Sequence, residues 1–234
     1  MLLSLTIHEC AHGWVAYRLG DPTARDLGRL TLNPMRHIDP LGAISLLLFH
    51  IGWAKPVPIN PRNFRHPKSG MALTAFAGPL SNFIIAFFSA IVFLLIDHLE
   101  NYVFSLDPST KLYLFVYYLF YFFYLLHMMN LMLGFFNLLP VTPLDGSRIL
   151  YMFLPRRPYQ WFVRHERQIY FFVLIWLIGG SYLSDYLLSF PAISGNAILR
   201  TLVLFLSLTG WISAAASRVS GGMIYLLSKI PFLS

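Results

Sequence analysis

Residues 1–20 read MLLSLTIHECAHGWVAYRLG, an apolar run interrupted at residues 8–12 by HECAH. On a helix, positions i and i+4 lie on one face, so His8 and His12 can point their imidazoles at one metal ion. Glu9 sits beside them, placed to take a proton from metal-activated water instead of ligating the ion. This is the arrangement of zinc hydrolases, in which the metal lowers the pKa of water toward neutrality and a carboxylate completes its activation. With 8 histidines and 3 glutamates among 234 residues, random placement yields on the order of 0.004 matches to the pattern. Ionisable side chains in hydrocarbon are costly and mark function by default.

The surroundings are made for lipid. Hydrophobic residues make up 57% of the chain and charged residues only 12%, with a mean hydropathy of +0.62, against roughly 25% charged in soluble domains. The expected fold is an all-α polytopic membrane protein, a single domain over residues 1–234 with a catalytic core at about 1–150 and C-terminal helices at about 165–217. Four segments can cross about 30 Å of hydrocarbon: approximately Met71–Ile96, Leu112–Leu139, Ile169–Leu188 and Ala197–Ala216. The opening stretch to Leu19 is a shorter fifth. Residues 41–53, LGAISLLLFHIGW, are too short to span and read as re-entrant or interfacial. Counting them brings the expectation to five to six transmembrane helices. Cys10, the sole cysteine, excludes an internal disulfide and a multi-cysteine metal site. The first apolar stretch holds the charged cluster and does not read as a cleavable signal peptide.

Net charge is +7, and its distribution decides what it means. Arg18, Arg25, Arg29, Arg36, Lys55, Arg62, Arg65 and Lys68 crowd the first loop, and Arg148, Arg156, Arg157, Arg164 and Arg167 follow the Leu112–Leu139 span. The Asp97–Lys111 loop is acidic apart from Lys111, and the Ser184–Asn196 loop has no basic residue. By the positive-inside rule both basic loops and the C-terminus are cytosolic and the N-terminus lies outside. The basic excess is thus a topology signal, and no nucleic-acid partner is expected. Within the first loop, GRLTLNP and AKPVPINP alternate polar and apolar residues and predict a small β-hairpin or sheet at the cytosolic membrane surface. Pro56 and Pro58 remove amide donors from one side of that strand, which must then face solvent or an edge.

Zinc catalysis usually takes a third protein ligand and one open position. Glu100 belongs to the outer loop and Glu166 to a basic surface stretch. Asp21, Asp26 and Asp39 fall in the charged first loop, while Asp97, Asp107 and Asp185 fall on or near the outer face. Asp145 stands apart in GFFNLLPVTPLDGSRIL, residues 134–150, where Pro140 and Pro143 break an apolar span. Such a break at membrane depth is tolerated where it lines protein or a water cavity. An N-cap after the proline turn is an alternative role for Asp145 and does not exclude ligation.

With HECAH, LGD (19–21), GRLTLNPMRHIDPLG (28–42), GWAKPVPINPRNF (52–64), AGPLSN (77–82) and FNLLPVTPLDG (136–146) on the page, the chain resembles the site-2 protease family of intramembrane zinc metalloproteases. It is most similar to the compact bacterial branch without a PDZ domain. Family members usually carry more residues before the zinc motif than the seven that precede His8 here. The resemblance implies one zinc ion on His8, His12 and Asp145, with Glu9 as general base. Asn137 is implied to hold substrate backbone or the developing oxyanion, and Asn82 is a weaker candidate for the same role. Gly78, Pro79 and Ser81 suggest close helix packing. His127 and Asn130 read as satisfying one another or a neighbouring helix. His37, His50, His66, His98 and His165 receive no role, and Cys10 is expected to be inert.

The implied activity is hydrolysis of peptide bonds in or near transmembrane segments of substrate proteins. The implied setting is a bacterial cytoplasmic membrane, with the active site open to the cytosol and the lipid bilayer and a transmembrane substrate as partners. An edge of the first-loop sheet is expected to receive the unwound substrate strand. A metal-ion transporter would also explain polar residues in spans but does not need Glu9, and a catalytically inactive scaffold is a further alternative.

Overall fold

The computed structural model describes residues 1–49, 54–103, 110–196, 198–200, 203 and 207–230. Its elements are helical: α1 Leu2–Arg18, α2 Thr23–Asp26, α3 Pro40–Phe49, α4 Pro67–Val103, α5 Lys111–Leu138, α6 Asp145–Phe153, α7 Arg156–Arg164, α8 Glu166–Leu188, α9 Pro191–Ser194 and α10 Leu208–Leu227. Helices α1 and α2 both end in Schellman caps. Gly20 and Gly28 take positive φ of 105° and 64°, and the amides of Asp21 and Arg29 reach back to the carbonyls of Ala16 and Ala24. Two tight reversals therefore bring the first loop straight back onto α1.

Two stretches, Pro67–His98 within α4 and Lys111–Leu138, are long and apolar enough to cross a membrane. They pack on each other, on α1 and on α10. One core joins Ala90, Phe93, Leu94 and Leu227, and another joins Ala86, Leu131 and Ala216. Helix α5 is polar inside and apolar outside. His127, Asn130 and Leu131 are fully buried, while Phe115, Tyr118, Phe122 and Leu125 are 54–66% exposed along one face. That inverted profile suits a helix solvated by lipid.

Two expectations need correction. The first-loop hairpin is absent among the described residues, where a single antiparallel bridge joins Ile38 to Ala54. The cause is that several of the backbone groups of the two predicted strands are taken by side chains and not by the opposite strand. Val57 N–H goes to Glu9, Asn60 N–H to Asp21, the Lys55 and Pro56 carbonyls to Arg29, and the Thr31 carbonyl to His37. The last helix also ends differently from the expected Ala197–Ala216 span, of which residues 197, 201, 202 and 204–206 lie outside the described residues. Ser207 is extended, with φ −96° and ψ 116°, and its hydroxyl accepts from Gly210 N–H, so α10 starts at Leu208 and runs to Leu227 instead of ending near residue 217. Of the re-entrant segment, α3 is helical to Phe49, and residues 50–53 lie outside the described residues.

Candidate metal centre

Helix α1 presents His8 and His12 on its inner face, both buried. Antiparallel to it, α4 carries Thr74, Gly78 and Asn82 at spacings of four, one stripe facing the two histidines. His12 Nδ1 lies 2.7 Å from the Thr74 carbonyl. A carbonyl only accepts, so Nδ1 donates and Nε2 is left as a bare lone pair. Opposite His8 Nδ1, at 3.2 Å, lies the side-chain amide of Asn82, whose Oδ1 is buried without a hydrogen-bond partner among the described residues. Turning that amide over sets Oδ1 against Nδ1–H and bares His8 Nε2 in the same way. Between these two contacts Gly78 touches both rings. A methyl group there would collide with Nε2 and Cε1 of His12 and Cε1 of His8.

The third side comes from the break after α5. The chain leaves the helix at Leu138, turns through Pro140 and Pro143 with a cis Thr142–Pro143 bond, and restarts at Asp145. Gly146 makes the approach possible, since a Cβ there would strike the backbone of Leu138 and Leu139. Asp145 Oδ2 thereby reaches 3.2 Å from both His8 Nε2 and His12 Nε2, which are 3.0 Å from each other. Oδ2 is sheltered from solvent and has no hydrogen-bond donor among the described residues. With Nδ1 donating on both rings, three lone pairs converge, and a cation would satisfy them. Ligand atoms around tetrahedral zinc lie about 3.3 Å apart, close to this triangle, so the donor set fits zinc.

Glu9 is half-buried beside the triangle, and its Oε2 accepts from Val57 N–H at 2.8 Å. Asn137 is half-buried and donates one turn back to the Leu133 carbonyl at 3.0 Å, within its own helix. Asn82 is completely buried behind His8, on the Nδ1 side away from the triangle. His127 and Asn130 do not bond to each other. His127 bridges the Ala86 carbonyl of α4 and Ser220 of α10, and Asn130 donates to Ser4 of α1. Cys10 is half-buried and free.

Three residues with structural weight were not singled out from the sequence. Asp21 is fully buried and accepts from Thr23 N–H and hydroxyl, Asn63 Nδ2 and Asn60 N–H at 2.5–3.1 Å. Burial alone would raise its pKa. The bonds from Thr23, Asn60 and Asn63 outweigh that and hold it below the usual carboxylate value. His37, only 2% exposed, donates from Nε2 to the Thr31 carbonyl at 2.8 Å, and Arg29 grips the Lys55 and Pro56 carbonyls at 2.8 and 3.4 Å. The DPT and NPR turns were the available signals for Asp21, but its partners lie about 40 residues on.

Residues 1–179 match the sequence pattern of peptidase family M50. The chain is 39% identical over 160 residues to "Putative zinc metalloprotease YwhC" of Bacillus subtilis (strain 168), an alignment covering 66% of this chain and 67% of the relative. It is 29% identical over 90 residues to "Putative zinc metalloprotease Rip2" of Mycolicibacterium smegmatis, covering 36% of this chain and about a third (34%) of the relative. No solved structure matches significantly. With the family pattern spanning three-quarters of its length, the chain belongs to peptidase family M50, the site-2 proteases.

Proposed function

We propose that this metalloprotease is an intramembrane endopeptidase that binds one zinc ion on His8, His12 and Asp145 and cleaves peptide bonds in or near transmembrane segments of other membrane proteins. The observation that carries the reading is the triangle of buried lone pairs at 3.0–3.2 Å with Glu9 next to it. That triangle is built between helices whose outer faces are apolar. The accompanying topology is five spans, N-terminus outside and C-terminus and active-site opening in the cytosol of a bacterium, in line with the basic loops.

Zinc, when bound, supplies Lewis acidity toward water and the scissile carbonyl. The remaining work falls to the chain. Glu9 takes the proton of the attacking water as the C–O bond forms and passes it to the leaving amide nitrogen as the C–N bond breaks. Thr74 and Asn82 keep both imidazoles in the tautomer that presents Nε2. Asn137, whose Oδ1 and second amide hydrogen are not used by the bond to Leu133, is placed in the motif to hold substrate backbone. A substrate helix shields its carbonyls within its own hydrogen bonds, so it must unwind locally before Glu9 can serve it.

The test is to purify the full chain, measure zinc, and assay a reporter transmembrane peptide with wild type and Glu9→Gln. Stoichiometric zinc with cleavage by wild type and none by Glu9→Gln is expected. Zinc without cleavage by wild type would point to transport or scaffolding, and cleavage that survives Glu9→Gln would refute the role of Glu9.

A further inference from the structure

The alternation of prolines in KPVPINP, residues 55–61, is left unexplained once the hairpin is gone. Pro56, Pro58 and Pro61 have no amide hydrogen, so only Lys55, Val57, Ile59 and Asn60 can donate. Three of the four amides have a partner from elsewhere in the chain. Lys55 N–H binds the His37 carbonyl at 2.9 Å, Val57 N–H binds Glu9 Oε2 at 2.8 Å, and Asn60 N–H binds Asp21 Oδ2 at 2.7 Å. Arg29 adds its grip on the Lys55 and Pro56 carbonyls. The segment is thus fastened on both sides of Val57.

Val57 itself is docked twice on α1. Its side chain is 6% exposed and fills the hollow over Gly13, where an added Cβ would lie 3.1 Å from Val57 Cγ1. Glu9 and Gly13 are four apart and share a helix face. One residue therefore covers the face of α1 beside the metal ligands, its side chain over Gly13 and its amide on Glu9.

We infer that Val57 is a positioning residue for the general base: its main-chain N–H holds one carboxylate oxygen of Glu9 so that the other is presented to the attacking water. The inference rests on the protease reading above. A glutamate has three freely rotating bonds, and a fixed donor on one oxygen confines the other to the near-attack geometry that proton transfer requires. Only a main-chain donor is involved, and so the side-chain pattern of the motif does not reveal it.

Two measurements on the full-length protein in detergent test this. In hydrogen exchange, a peptide covering residues 54–61 reports on Lys55, Val57, Ile59 and Asn60 alone. Removing the acceptor with Glu9→Ala is expected to speed uptake by one amide, and unchanged uptake overturns the contact. Independently, α-hydroxyvaline installed at position 57 replaces the N–H with an ester oxygen and keeps the side chain. Zinc content and KM are expected to stay at the wild-type level while kcat falls about 10–100-fold, the effect of losing a hydrogen bond to a charged group. The matching ester at Ile59 is expected to leave kcat within about twofold, since it removes no bond to Glu9. Equal kcat for the Val57 ester and wild type overturns the positioning role while the protease reading stands. A wild type that binds zinc but cleaves nothing defeats that reading, and the exchange result then decides the contact by itself.

Discussion

Two imidazole nitrogens and a carboxylate oxygen held 3.0–3.2 Å apart are, with both rings in the Nδ1–H tautomer, costly to bury in the absence of a cation. The residues behind them therefore matter as much as the ligands. Asn82→Leu removes the group that sets the His8 tautomer and is expected to weaken zinc binding about 10–100-fold, read by chelator competition with helix content unchanged. Gly78→Ala acts differently, by volume. Its methyl group enters the space of both rings, and the expected outcome is loss of stoichiometric zinc even in excess metal. A Gly78→Ala protein that keeps full zinc occupancy would show that the α1–α4 contact relaxes more readily than the geometry implies.

At the scale of elements, the first loop is organised by side chains that seize main-chain groups, with Asp21 at its centre. The sign of its pH dependence follows from its depressed pKa. Asp21 is ionised in the native state down to a lower pH than in the unfolded chain, where its pKa is about 3.9. Its contribution is therefore complete above that value and is lost as pH falls through the lower native pKa. Asp21→Asn faces the Asn60 N–H with an amide and is expected to cost about 1–3 kcal/mol. In thermal unfolding scans from pH 7 to pH 3, the gap between wild type and Asp21→Asn should be constant above about pH 5 and narrow below about pH 4. A gap that widens on acidification would contradict the assignment.

The same loop explains where sequence reasoning reached and where it stopped. HECAH was legible because i, i+4 spacing is a property of one helix, and the break before Asp145 was legible because prolines at 140 and 143 cannot continue one. Gly78 was read as a close-packing position, and it packs against the rings of His8 and His12. The hairpin was misread because alternation reports which residues face inward, not which partner takes each amide. The donors of Val57 and Asn60 are claimed by carboxylates 48 and 39 residues away. The start of α10 was missed for a related reason. Hydropathy continues smoothly across residue 207, while the Ser207 side chain caps the first turn of α10 and fixes its start, the signal in SLTG.

For the molecule as a whole, the decisive property is that α4 and α5 turn apolar side chains outward and polar ones inward. The exposed ridge Phe115, Tyr118, Phe122 and Leu125 demands lipid, so Phe122→Lys is expected to lower membrane insertion by about 2.5–3.5 kcal/mol in a reporter assay. Inside, His127 joins three helices. Its Nδ1 donates to the Ala86 carbonyl of α4 at 2.8 Å, and its Nε2 accepts from Ser220 of α10 at 2.9 Å. Both ring nitrogens are thus spent on packing, and none remains for a metal. Interhelical bonds of this kind are individually modest in membrane proteins, about 0.6–1.7 kcal/mol, because the inserted but unpacked helices also find partners. His127→Phe is accordingly expected to lower the unfolding temperature in detergent by a few degrees while leaving zinc content and cleavage at wild-type levels. The Phe ring keeps the contact that His127 makes with Phe93, at 5.5 Å between ring centres. Loss of zinc in that variant would mean that the α4–α5–α10 core is coupled to the metal centre. Retention would show that α10 is tethered to the catalytic helices by a polar clasp separate from the chemistry.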